Sequence, residues 1–200
     1  RTGDYLNLLA PAEEFGVEHV SLPRKYPIGA DTILLYVLTR REIPCGGSPT
    51  DIQSAVVDAA TCLAVYRHVA CQERLLGRVV TVSGDRARRP GNFFAPFGLP
   101  CRDLLGAIDS PLILGGPMIG SLAGDDAVVT PAVDAVLGVE PAPVGRAMQC
   151  VRCGWCRDHC PTRLNVSALN DLYELQYVEA ADGLGALSCI ECGVCSYVCP

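Results

Sequence analysis

The sequence predicts three consecutive units: an α/β front over 1–74, a β-rich α+β unit over 75–140, and a small helical, cysteine-rich domain over 147–200. Three observations carry this division. Apolar residues in the front recur at helical spacing between loops. A β-branched run, Val79-Val80-Thr81-Val82, opens the middle. Eight of the twelve cysteines crowd the last quarter in a repeated pattern.

In the front, Val17 to Leu22 alternates like a short strand and 23–29 reads as a loop. Ile33, Leu34, Val37 and Leu38 place a helix over 31–40, and Pro44 to Pro49 is a loop by composition. Ala55-Val56-Val57 reads as a buried strand. Asp58 then caps a helix from Ala59 to about Cys71, its carboxylate accepting otherwise unpaired N–H groups. In the middle unit, strands are expected over 78–83, 93–97 and 112–114, the first two joined by a turn. Pro100 starts a short helix through Leu104-Leu105 as its first helical residue, and Gly115-Gly116-Pro117 ends the third strand. Strands around one helix suggest a β-grasp. Residues 138–146, rich in Gly and Pro, read as a linker, and Leu169, Leu172 and Leu175 predict one or two short helices within the tail.

The chain has 200 residues, half of them hydrophobic and 19% charged, too apolar a balance for a disordered protein. Net charge is −6, and no basic stripe is present to replace counterions along phosphates, which argues against nucleic acid as a partner. Every apolar run is broken by a charge, Gly or Pro well short of the ~20 residues a spanning helix needs. No signal peptide is visible and no initiator Met is present. The sequence reads as a fragment cut at both ends.

The chemistry lies in two runs. The first is Cys150-x2-Cys153-x2-Cys156-x3-Cys160-Pro161; the second is Cys189-x2-Cys192-x2-Cys195-x3-Cys199-Pro200. This is the bacterial ferredoxin spacing with its trailing proline, in which three thiolates of a run hold one 4Fe–4S cube and the fourth reaches the other. The expected ligand sets are therefore Cys150, Cys153, Cys156 and Cys199 for one cluster and Cys189, Cys192, Cys195 and Cys160 for the other. Gly154 and Gly193 follow the second cysteine of each run, where the backbone must approach the cluster closely. Disulfides suit small secreted chains, whereas this pattern suits thiolates kept reduced and bound to metal. Zinc sites use two C-x2-C pairs separated by ~12–20 residues, which neither run matches; a zinc-stabilised scaffold without redox function is the rival reading.

Arg152 and Arg157 flank the first run and could offset the charge of cluster and thiolates, or be solvated surface. Trp155 is placed to shield the first cluster, and Ile190 and Val194 the second. His159 reads as a surface histidine. Cys45, Cys62, Cys71 and Cys101 are scattered and read as small buried hydrophobes without a metal role. The turn at 115–120, Gly-Gly-Pro-Met-Ile-Gly, is either a plain tight turn or an approach to a cofactor or another domain. No phosphate-cradling glycine motif and no hydrolytic constellation is present, so no enzyme activity can be assigned from the residues beyond electron transfer.

Taken together, these blocks resemble a family, the C-subunits of the Rnf/Rsx ion-translocating electron-transport complexes. Lys25-Tyr26-Pro27-Ile28-Gly29, Thr39-Arg40-Arg41-Glu42-Ile43-Pro44, Val80-Thr81-Val82-Ser83-Gly84, Pro90-Gly91-Asn92-Phe93, Gly98-Leu99-Pro100, Gly115-Gly116-Pro117-Met118-Ile119-Gly120 and the paired cysteine runs follow that family's order. Arg40, Leu99 and Asp58 depart from its usual Gly, Thr and Asn, and its glycine-rich flavin loop has no counterpart after Arg1. The resemblance implies a fold of three parts: part of a flavin-binding domain like that of the NADH-oxidising subunit of respiratory complex I, an SLBB β-grasp module, and a dicluster ferredoxin-type domain. It implies a peripheral electron-transfer subunit on the cytoplasmic face of the inner membrane. Such a subunit relays electrons between NADH or ferredoxin and the membrane subunits of the complex through two 4Fe–4S clusters, with FMN in the full-length parent. A soluble flavin/iron–sulfur reductase, such as a microcompartment cobalamin reductase, would share the same front.

Overall fold

The computed structural model describes residues 16–106, 109–140 and 148–200. The middle of the chain is the best packed. Five strands, β1 (Gly77–Ser83), β2 (Gly91–Pro96), β3 (Leu112–Leu114), β4 (Ser121–Ala123) and β5 (Ala135–Gly138), form one mixed sheet in the order β2-β1-β5-β3-β4. Only the β1–β5 pair is parallel, with Val82 opposite Val136; the others are antiparallel. Period-two alternation decides the faces: Val80 and Val82 point inward and are fully buried, while Val79, Thr81 and Ser83 face out.

A short helix, Cys101–Leu105, closes that inner face. Its Leu105 and Cys101 join Val80, Val82, Ala95, Leu112, Val129, Val133 and Val136 in one core. Burying such side chains stabilises by roughly 1.5–3 kcal/mol each. Pro100 sits one place earlier than expected, at the N-cap, so Cys101 is the first helical residue. Strands β4 and β5 are not foreseen in the sequence. They are three and four residues long and carry no β-branched run, so their pairing, not their composition, makes them strands. Gly138, expected in the linker, is instead the last residue of β5 and is buried; Val139 and Glu140 follow it without regular structure, and 141–146 of that linker fall outside the described residues, as does 1–15 of the front.

Among its described residues the front holds two helices, α1 (Asp31–Thr39) and α2 (Ala59–Cys71), with a 3-10 turn over Pro49–Ile52. Asp58 caps α2 as expected, its Oδ1 accepting the Thr61 N–H at 2.6 Å. Its other oxygen takes Arg78 Nη2 at 3.0 Å, fastening α2 to β1. The strands expected at 17–22 and 55–57 do not form, and Val57 is exposed rather than buried. An isolated extended segment has no ladder to join, and no described residue offers one there. Helix α2 likewise buries none of its side chains, leaving Leu63, Val65, Tyr66 and Val69 open.

Counting along the chain, the helix of the sheet unit is α3 (Cys101–Leu105). In the tail, α4 (Trp155–Asp158) and α6 (Val194–Tyr197) are single turns that pack on each other. Between them lie α5 (Val166–Glu174), capped by Asn165, and 3-10 turns over Val178–Leu184 and Ala186–Ser188.

Candidate metal centre

Each cysteine run folds into the same local shape. In the first, Arg152 (φ 54°) and Gly154 (φ 83°) are left-handed and α4 follows at once. In the second, Glu191 (φ 52°) and Gly193 (φ 72°) are left-handed and α6 follows at once. Left-handed backbone costs a non-glycine residue of order 1–3 kcal/mol, so its recurrence at Arg152 and Glu191, each just before the second cysteine, marks a shape both loops must take. One effect is visible: the Glu191 N–H is turned onto Cys189 Sγ at 3.4 Å. Single helical turns then form, closed by Asp158 N–H to the Gly154 carbonyl at 3.0 Å and Tyr197 N–H to the Gly193 carbonyl at 3.1 Å.

The eight cysteines are all free thiols. Cys156, Cys160, Cys192 and Cys195 are half-buried and Cys150, Cys153, Cys189 and Cys199 exposed. Cys160 is the most enclosed by hydrogen bonds. Its sulfur accepts the Leu164 N–H at 3.4 Å and lies 3.4 Å from Thr162 Oγ1. Among the described residues, no three His, Cys, Asp or Glu side chains close on a point where a single ion would sit. An iron–sulfur cube does not require that, because each thiolate binds a different iron. Soft sulfur donors, left-handed loop residues and amides aimed at sulfur fit such a group, whose properties depend on these hydrogen bonds.

Other residues singled out from the sequence fall as follows. Arg152 pairs with Asp171 at 3.2 Å, so its charge is shared with α5 rather than directed only at the cysteines. Trp155 is 54% exposed, a poor shield, whereas Ile190 and Val194 are half-buried. His159 is exposed, with Nδ1 2.9 Å from the Trp155 carbonyl, a local cap. Of the four scattered cysteines only Cys101 is buried, and burial pushes its thiol above the usual range. Cys45, Cys62 and Cys71 are exposed, against expectation, because Cys62 and Cys71 ride on the uncovered helix α2 and Cys45 sits in a loop.

Tyr26 carries no chemical signal in the sequence, yet its hydroxyl donates to the Cys192 carbonyl at 2.5 Å. Shielding from water, and then the Cys192 sulfur, raise that hydroxyl above the ordinary tyrosine value. The turn at 115–120 also reaches the second run. A Cβ on Gly193 would lie 2.5 Å from the Met118 carbonyl oxygen, so glycine is required there by space as well as by φ. A cleft of about 600 Å³ between α2 and β1, lined by Ala64, Val65, Leu75, Arg78 and Phe97, involves none of these cysteines. No helix among the described residues is long and apolar enough to cross a membrane.

Residues 143–200 match the model of a family described as a 4Fe–4S dicluster domain. Curated relatives extend the likeness well beyond the cysteines. The C-subunit of the proton-translocating ferredoxin:NAD(+) oxidoreductase complex of Clostridium ljungdahlii is 37% identical over 172 residues, covering 79% of this chain and 38% of the relative. The C-subunit of the ion-translocating oxidoreductase complex of Pasteurella multocida is 37% identical, over 72% of this chain and 18% of the relative. Its namesake in Klebsiella pneumoniae is 34% identical, over 74% of this chain and 21% of the relative. The chain thus spans well under half the length of the curated relatives it matches.

Proposed function

Because the chain belongs, over the stretch it spans, to the C-subunit family of ion-translocating oxidoreductase complexes, we propose that it is the electron-relaying part of such a protein and holds two 4Fe–4S clusters. The observation that carries the reading is the repeated loop shape: two runs of free thiols, each with left-handed residues on either side of its second cysteine. Cys150, Cys153, Cys156 and Cys199 would hold one cluster, and Cys189, Cys192, Cys195 and Cys160 the other, the crossed arrangement of two-cluster ferredoxins. The packing of α4 on α6 supports crossing, because each helix leads from the third cysteine of its run toward the fourth.

When bound, a 4Fe–4S cluster takes up and releases one electron at a time. The chain's part is to orient the thiolates and bias the charge on them. The Leu164 and Glu191 amides point at Cys160 and Cys189, and a hydrogen bond to sulfur favours the more negative state. In the full-length protein we assign NADH or ferredoxin as redox partner, FMN as a further cofactor, and membrane subunits of the complex as electron partners. The site of action is the cytoplasmic face of the inner membrane, peripherally attached. The front and sheet unit are read as part of the flavin domain and as an SLBB module.

Anaerobic purification followed by iron and sulfide analysis, with EPR after dithionite reduction, tests the core of this proposal. The expected result is iron and sulfide in equal amounts, sufficient for two four-iron cubes per chain, with two reducible signals. A colourless, zinc-loaded protein would refute it.

A further inference from the structure

The two cysteine runs share a backbone shape but differ in their ties to the described residues of the front and the sheet unit. Among the described residues, the front and the sheet unit reach residues 188–193 at three points. Tyr26 donates to the Cys192 carbonyl at 2.5 Å, Cys45 Sγ lies 3.3 Å from Ser188 Oγ, and the Met118 carbonyl lies against Gly193. Among the described residues other than Arg102, no hydrogen bond or ion pair ties 150–160 to residues 16–140.

Tyr26 makes the most directional of these contacts, and its own backbone is braced. Ile28 N–H donates to the Lys25 carbonyl at 2.9 Å and Ala30 N–H to the Pro27 carbonyl at 2.8 Å, so the tyrosine sits on a closed turn that runs straight into α1. Its phenol meets the peptide of Cys192 rather than any sulfur. A donor there withdraws electron density from the ligand's own peptide and directs the positive end of the O–H dipole into the loop. Both effects favour the more reduced state of whatever the loop holds.

We propose that Tyr26 is a positioning residue for the second cysteine run: its hydroxyl fixes the Cys192 peptide against the front and makes the 189–195 site electronically distinct from the 150–156 site. This rests on the reading of Cys192 as a cluster ligand.

The test is Tyr26→Phe in the anaerobically purified holo chain. Tyr26 is 49% exposed, so loss of one oxygen leaves no buried cavity. Iron and sulfide should be unchanged. EPR-monitored redox titration should show one cluster shifted to lower potential, the same one whose signal is lost in Cys192→Ser, and the other unmoved. Hydrogen exchange should quicken over 189–199 and stay the same over 150–160. Unmoved potentials, or an equal shift of both, would overturn the assignment. If the wild-type protein held no iron, the functional reading would fail separately, and hydrogen exchange would still decide the role of Tyr26. Should Tyr26→Phe not fold, Gly193→Ala, which forces Met118 off the same loop, is expected to perturb that cluster alone; an effect confined to the other cluster, or equal on both, would count against the proposal.

Discussion

Cys160 differs from the other cysteines of the two runs in how its sulfur is held, with one backbone amide and one hydroxyl beside it. Crossed ligation makes a sharp prediction there. Cys160→Ser should abolish the signal of the cluster built on Cys189, Cys192 and Cys195 and leave the other in place; EPR of the variant checks this, and loss of the Cys150 cluster alone would show that each run holds its own cluster. Asp58 is a second residue with two duties, capping α2 and pairing with Arg78. The hydrogen bonds from Thr61, and then the Arg78 guanidinium, hold its carboxyl below the usual carboxylate range. A carboxylate with a depressed folded value stabilises above its unfolded value, and that stabilisation disappears as pH falls through the folded one. Asp58→Ala should therefore cost about 1 kcal/mol at neutral pH, as cap losses do. The difference from wild type should shrink in acid, below the ordinary carboxylate range; urea unfolding at neutral and acid pH measures both.

Elements show why some of the fold is legible and some is not. Helix α2 can be read because its signal, the capping Asp58 just before it, is local. Strand β1 can be read because Val79 to Val82 prefers a pleated surface wherever it lies. Strands β4 and β5 have no such preference and exist because β3 offers each of its edges to one of them, pairing Ile113 with Leu122 and with Leu137. The converse error, at 17–22 and 55–57, comes from strand-like residues without a neighbouring edge. The short helix Cys101–Leu105 contributes two fully buried residues, Cys101 and Leu105, to the sheet core. Leu105 is fully buried, and its methyls fill the space a side chain at Gly138 would need. Leu105→Ala should destabilise the sheet unit by about 2–5 kcal/mol, as large-to-small core changes do, with a matching drop in the urea midpoint.

Across the whole molecule, apolar burial is uneven. Among the described residues, ten of the thirteen buried hydrophobic residues lie between Val80 and Leu137, and in the described part of the tail only Leu164 is buried. A segment with so small a core gains its stability elsewhere, and thiolates around metal supply it in other small metallo-domains. Limited proteolysis should therefore cut the metal-free protein within 148–200 while sparing the sheet, and cluster loading should protect the tail. Equal resistance of the metal-free and loaded tails would show that metal is not what holds it.

The sequence alone determined the candidate ligand set, the capped helix and the central strand, because each is written in spacing over a few residues: two-residue gaps between cysteines, an acid before a helix, alternate valines. Only the tertiary structure decided that the second cysteine run meets the front and the sheet unit. Tyr26 and Cys192 stand 166 positions apart, and nothing in the local pattern of either one encodes their meeting. The same holds for Met118 against Gly193: the glycine-rich turn is visible in the sequence, but its target is not. Such contacts depend on how separately formed units pack, and packing is decided by the shapes of whole surfaces rather than by periodicity along the chain.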